Sequence, residues 1–330
     1  MRSLPRRSCG STLKSRFVLP RILVIACGVT MSVCGAQQAR IAAVSLPEPT
    51  HTASIFQNPI PPGQLKFLLD YKDRTAGAIL KDNRFRSLMK LVIPKSESRY
   101  CCGRAITNTL VASLEGDPIP IQIRDGRFVI VASGNSPTLN GHGIMWFDLQ
   151  DGIAIGGVYS HSAEGNPRPE LAVFSSQLRG SSLSMSQFPT AFQKDLTQWI
   201  FAAGLYVIST RYFIPENGRK YALLHDEDYC IYRQETPPPP HAQCEELKAE
   251  AAEVDMNAVY SLAKTQNAAY ATPRVQGEDQ LAWISLREQS CGLGPAGLQC
   301  RLRLTRQRTQ ALIASQSNPS DSPIGLEGNQ

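Results

Sequence analysis

The run Thr236-Pro237-Pro238-Pro239-Pro240 divides the chain into two parts that follow different folding rules. Consecutive prolines hold the backbone extended and remove the N–H groups that a helix or sheet needs, so no regular element crosses them. Before the run, many apolar residues between 119 and 174 alternate with a period of two; after it, Leu247, Ala251, Val254, Ala258 and Leu262 recur at helical spacing. A sheet-bearing part therefore gives way to a helical part at this place.

Within the first part, Leu65, Leu68 and Leu69, then Phe85, Leu88, Met89 and Val92, predict helices between 63 and 115, the second run being stopped by Pro94. Ile119, Ile121 and Ile123 lead into Asp125-Gly126, and Phe128 to Val131 follows, which predicts a hairpin with a tight turn. Ile144 to Leu149, Asp151-Gly152 and Ile153 to Tyr159 predict a second hairpin, and Leu171 to Phe174 a further strand. The expected product is an antiparallel meander. Phe188, Phe192, Leu196, Ile200 and Ala203 then predict a helix closed by Gly204, followed by strands over Leu205 to Ile214 and Lys220 to Leu224. Residues 61–229 thus read as an α+β domain, with N-terminal helices and an antiparallel β-meander. Residues 37–60, rich in Pro, Ser and Thr, read as a flexible lead-in, and 315–330 as a disordered tail.

The formal charge of +6 is misleading, because residues 1–36 carry Arg2, Arg6, Arg7, Lys14, Arg16 and Arg21 and no acid. Subtracting these six from 34 bases leaves 28 against 28 acids, which argues against a nucleic-acid binder that relies on bulk positive charge. The basic stretch precedes the apolar run Ile22 to Val33 and the small residues Cys34, Gly35 and Ala36, the layout of a signal peptide cut after Ala36. Val24-Ile25-Ala26-Cys27 resembles a lipobox, but Arg21 leaves too short an apolar run before Cys27, so lipidation is the lesser expectation. No second apolar run reaches the roughly 18 residues of a membrane span, so no insertion is expected after leader removal. The expected location is the periplasm or the exterior.

Export makes disulfides the default for Cys101, Cys102, Cys230, Cys244, Cys291 and Cys300. A trans peptide holds the Cα atoms of adjacent Cys101 and Cys102 about 3.8 Å apart, so two thiols are as plausible there as a strained bridge. Catalytic, cofactor and metal signatures are not found. There is no Cys-x-x-Cys pair, Ser133-Gly134-Asn135-Ser136 is no nucleophile elbow, and Gly141-His142-Gly143 is followed by no Walker lysine. His142 and His161 read as members of connections. In His225-Asp226-Glu227-Asp228, successive side chains on an extended segment point to opposite faces and do not converge on one ion. Neither a metal, a cofactor nor catalysis is expected.

In the helical part, Cys244 to Lys264 forms a first helix, with Met256 and Val259 broadening its apolar face. A second helix is expected from about Gly277 to Cys291, a turn at Gly294-Pro295-Ala296-Gly297, and a third helix from near Cys300 carrying Leu302, Thr305, Thr309 and Leu312. Residues Asp255-Met256-Asn257-Ala258-Val259-Tyr260, then Gln280-Leu281-Ala282-Trp283-Ile284-Ser285-Leu286-Arg287-Glu288-Gln289-Ser290-Cys291, then Cys300, Thr305 and Arg308-Thr309 follow Cys230 and Cys244. In that order they resemble the LprI-type lysozyme inhibitor domain, over about residues 230–314. Glu288 stands where the family often has Asp.

The resemblance implies a small disulfide-stapled three-helix domain and a non-enzymatic periplasmic protein whose partner is a lysozyme-type peptidoglycan hydrolase. Gln280, Trp283, Arg287 and Cys291 share a helix face, and Asn257 neighbours Tyr260, so the motif residues, with Glu288 and Arg308, read as a structural network around a buried tryptophan. A contact surface is the alternative. If the first two helices form an antiparallel hairpin, Cys244 meets Cys291 and Cys230 meets Cys300. Arg301, Arg303, Arg306 and Arg308 are candidates to meet the hydrolase's carboxylates, although Glu245, Glu246, Glu250, Glu253 and Asp255 offer internal partners. The rival reading assigns the activity to the α+β domain, as an envelope binding module or enzyme with a helical accessory.

Overall fold

The computed structural model describes residues 55–95, 105–136, 141–161, 168–226, 241–266 and 273–317. The expected hairpins form around residues that tolerate left-handed backbone: Asp125 and Gly126 have φ of 55° and 63°, and Gly152 has φ of 65°. They join β1 (Gln122–Arg124) to β2 (Phe128–Ala132), and β3 (Gly141–Asp148) to β4 (Ile153–Ser160). With β5 (Glu170–Phe174) these strands run as an antiparallel meander.

Among the described residues, four α-helices precede the sheet, α1 (Pro62–Leu65), α2 (Ala76–Ile79), α3 (Asn83–Val92) and α4 (Ile106–Leu114), with a 3-10 helix over Lys66–Tyr71 following α1. The side chain of Asp82 caps α3 by accepting from the Arg84 N–H at 2.7 Å. After β5 come the two-residue strand β6 (Leu183–Ser184) and helix α5 (Thr190–Ala202), closed by Gly204 at φ 65°. Strands β7 (Thr210–Ile214) and β8 (Tyr221–Leu224) complete an eight-stranded sheet in the order β1-β2-β3-β4-β5-β7-β8-β6.

Two features depart from the sequence expectation. The strand expected from Leu205 begins only at Thr210, and β7 lies parallel to β5 because α5 crosses one face of the sheet and returns the chain in the same direction. Strand β6, parallel to β8, is too short to show a period.

The period-two alternation is spent on two cores. Val129, Val131, Met145, Phe147 and Val158 pack with α3 and α4, while Ile130, Ile144, Trp146, Ile155 and Tyr159 face α5. Because helices cover both faces, every residue of β3 is buried. Gly156 shows how closely this packing is fitted. It lies opposite Phe174, and an added Cβ would stand 2.1 Å from the Phe174 ring, itself fully buried. Gly156→Ala is therefore expected to lower stability by about 1–3 kcal/mol, read as a fall in urea midpoint without a change in slope.

The C-terminal helices are α6 (His241–Gln266), α7 (Pro273–Cys291) and α8 (Gly294–Ser317). Both α7 and α8 start earlier than expected, since a proline in the first turn lacks only an N–H that has no helical partner there. The stretch expected to turn, Gly294 to Gly297, opens α8 instead; Gly292 (φ 61°) and Gly294 (φ 77°) reverse the chain.

The apolar stripe of α6 is buried partly against β7, β8 and the loop before β7, and partly against α8. Ala251 and Val254 pack with Ile208, and Ala258 and Val259 with Tyr212 and Ala222. Polar contacts flank this seam. Arg168 Nη1 and Tyr206 Oη donate to Glu250 at 2.8 and 3.0 Å, and the His225 N–H donates to Asp255 Oδ2 at 2.8 Å while its Nδ1 lies 2.5 Å from Oδ1. Among the described residues no helix is long and apolar enough to cross a membrane.

Candidate functional site

Helical spacing on α7 places Gln280, Trp283 and Arg287 along one side, and the structure joins them to α6 and α8. Arg287, a buried residue, is the centre. Its Nε and Nη2 donate to Glu288 Oε1 at 3.1 and 2.7 Å, and its Nη1 donates to Thr305 Oγ1 at 2.8 Å and to Glu253 of α6. One guanidinium thus ties three helices, using its fixed fork of donors. Trp283, half-buried, lies between two cations, with the Arg287 and Arg308 guanidinium carbons 5.0 and 5.9 Å from its ring centre. Arg308 Nη2 also donates to Asp279 Oδ2 at 2.5 Å, and Gln280 Nε2 to Met256 Sδ at 2.8 Å.

Trp283, Arg287, Glu288 and Arg308 therefore form one network, while Gln280 ties α7 to α6 separately through Met256. Asn257 and Tyr260 stand outside it: Asn257 is exposed, Tyr260 is half-buried, and neither side chain is hydrogen-bonded among the described residues.

The disulfide pairing differs from the expectation. Cys291 is bonded to Cys300, nine residues on, with Cα atoms 5.3 Å apart, and not to Cys244. The glycine reversal brings the end of α7 beside the first turns of α8, so the nearest partner of Cys291 is local. Gly297 is needed for this approach, because a Cβ there would lie 2.4 Å from the Gly292 carbonyl oxygen. Cys244 is itself disulfide-bonded, while Cys230, Cys101 and Cys102, like the leader, lie outside the described residues. The expected Cys230–Cys300 bridge is excluded by the same Cys291–Cys300 bond.

The clamp holds out an apolar tip. Leu293, inside the bridged turn, is 96% exposed, and on α7 Leu281 and Leu286 are 66% and 62% exposed. Arg303 and Arg306 on α8 are exposed too, and the acids of α6 do not reach them: Glu250 serves Arg168, Glu253 serves Arg287, and Asp255 serves His225. Of the other two arginines, Arg301 donates to the Gly292 carbonyl at 2.8 Å and Arg308 pairs with Asp279.

In the sheet-bearing part, a cavity of about 190 Å³ lies between α5 and the β1–β2 edge, lined by Ile119, Gln122, Ile130, Asp195, Gln198 and Trp199 among others. Asp195 is the ionisable residue in its lining, and it is already committed: it accepts from Trp146 Nε1 and Arg124 Nη2, both at 2.8 Å. Burial raises its pKa, against the opposing pull of Trp146 and Arg124.

His225 and Asp226 diverge, Asp226 accepting from the Ser186 N–H at 2.8 Å while His225 faces Asp255. Among the described residues no group of three or more His, Cys, Asp and Glu side chains is placed to hold a metal. Ser133, fully buried, donates to the Ser113 carbonyl and accepts from the Gly143 N–H, a packing role.

Residues 234–312 match the family described as Lysozyme inhibitor LprI, which coincides with helices α6 to α8. No curated protein and no solved structure matches the chain.

Proposed function

We propose that this protein is exported to the periplasm or beyond, loses its leader after Ala36 without lipidation, and acts there as a non-enzymatic inhibitor of a lysozyme-type peptidoglycan hydrolase. The family match over residues 234–312 carries the reading. Lysozyme cleaves through a pair of carboxylates in a cleft, so an inhibitor needs a protruding element that fills the cleft or a cation that meets the acids.

The clamped turn at Leu293 is suited to the first task. An apolar anchor whose backbone is fixed before binding loses little conformational freedom on docking, which is how a small contact gains affinity. Leu281 and Leu286 are further exposed apolar residues on opposite flanks of α7, while Arg303 and Arg306 supply positive charge without acidic partners among the described residues.

The sheet-bearing part shares with α8 the covering of the α6 stripe, so the whole mature chain is the appropriate material for assay. Its cavity does not favour the rival enzymatic reading, because the carboxylate in its wall already has two hydrogen-bond donors.

The test is a titration of lysozyme-driven cell-wall lysis with the mature protein. Inhibition is expected to saturate near one molecule per enzyme, and Leu293→Asp to weaken it about tenfold, about 1.4 kcal/mol, with circular dichroism unchanged. Full inhibition by Leu293→Asp would remove the turn from the contact.

A further inference from the structure

Two histidines far from this surface form a pair. His142 lies within β3 and not in the connection expected from the sequence, whereas His161 stands in the connection directly after β4. The β3–β4 register sets His142 opposite Tyr159. Residue 161 is two places further on, on the same face, so the two imidazoles meet diagonally across the strands. Their Nε2 atoms are 3.4 Å apart.

That separation matches both a long hydrogen bond between the rings and the spacing of two ligands on one metal ion. It is longer than the roughly 2.7–3.2 Å of an ordinary hydrogen bond from N–H. It agrees with the ~3.3–3.4 Å between two nitrogens that sit ~2.0–2.1 Å from one tetrahedral zinc ion.

We propose that His142 and His161 form a two-histidine site for a divalent transition metal, Zn²⁺ in the first instance, binding through both Nε2 atoms.

Several features fit. His142 is buried, and its Nδ1 makes no well-formed hydrogen bond, although the Ser133 backbone lies close enough to interact with the ring. Tyr159 closes one side, its ring centre 6.3 Å from that of His142 and 5.5 Å from that of His161, and Trp199 of α5 meets His142 edge-on at 6.4 Å. Gly141 and Gly143 allow this fit: a Cβ at either would lie 2.7 Å from the Tyr159 carbonyl oxygen or 3.0 Å from the Ser113 Cβ. With two protein nitrogens, the ion keeps open positions for water or an added ligand. Such a site binds more weakly than a closed four-ligand structural site.

The experiment uses the metal-freed, untagged mature protein. Titration with Co²⁺ is expected to give visible absorption of tetrahedral intensity, saturating at one equivalent and removed by Zn²⁺. His142→Ala and His161→Ala should each weaken Zn²⁺ binding at least tenfold, a loss in the range about 10–100-fold that follows when a metal's support is removed. His161→Ala is the decisive variant, because this half-buried side chain lies at a strand end and its loss leaves the core intact; an unchanged thermal transition without metal confirms that. Absence of a Co²⁺ spectrum in the parent protein, or Zn²⁺ binding undiminished in folded His161→Ala, would overturn the proposal.

Discussion

Arg287→Ala is expected to lower the stability of the folded protein by about 2–4 kcal/mol, seen as an earlier urea transition in the helical circular dichroism signal. The guanidinium is 8% exposed and reaches α6 and α8 as well as its own helix, so alanine removes three ties at once. The magnitude is held below that of a fully buried pair because Glu253 and Glu288 are 36% and 49% exposed and regain water when the arginine leaves. Thr305 is 1% exposed and does not. Arg287→Lys keeps the charge but not the fork, and should recover less than half of the loss. If alanine cost less than about 0.5 kcal/mol, the range of an ordinary surface substitution, the network would not be holding the helices together.

Asp195→Ala is expected to cost about 3 kcal/mol, because it leaves the indole N–H of fully buried Trp146 without an acceptor and Arg124 without its partner. Asp195→Asn keeps an acceptor for Trp146 and should cost about 1 kcal/mol at neutral pH. The pH dependence has a definite sign. Burial raises the pKa of Asp195 above its ordinary 3.8, so the folded state holds this proton more tightly than the unfolded chain does. The associated stabilisation is complete below pH 3.8 and is lost as pH rises through the raised folded value. An amide in place of the carboxyl does not titrate. The deficit of Asp195→Asn relative to the parent should therefore be larger at low pH and shrink as pH rises, as paired urea titrations would show.

Much of the sheet was legible because a half-buried strand writes its period into the chain and a tight turn writes its residues. Asp125-Gly126 and Asp151-Gly152 marked both hairpins. Helix α6 was legible as an apolar stripe, but a stripe states only that a face is buried and not what covers it; the cover is Ile208, Tyr212 and Ala222, as well as neighbouring helices. The disulfide departs from expectation for a related reason. Antiparallel packing of helices pairs their distant ends, whereas the positive-φ glycines at 292 and 294 put Cys291 beside Cys300. Gly292 and Gly294 were visible in the sequence and signalled that local reversal.

Within the motif, Gln280, Trp283 and Arg287 were grouped by spacing, and Arg308 joins them from another helix by stacking on Trp283. The tryptophan is half-buried, so the group that ties the helices also borders the surface. Asn257 faces solvent, and no period could have revealed that, because α6 is buried on more than one side. The histidine pair was hidden by its separation of 19 residues; only the β3–β4 register brings residues 142 and 161 together. His225 was legible as polar and near acids, but its partner proved to be Asp255, on α6, and not an ion.

The central claim, that the protein binds a lysozyme through the clamped end of its helical part and catalyses nothing there, is tested most directly by calorimetric titration of lysozyme with the oxidised mature protein. The account predicts saturable binding near one to one, with no peptidoglycan fragments released by the protein alone. Salt should weaken only the share of affinity carried by Arg303 and Arg306, because an apolar contact at Leu293 is not screened. Absence of binding to every lysozyme type tested, by protein shown to carry the Cys291–Cys300 bond, would contradict it.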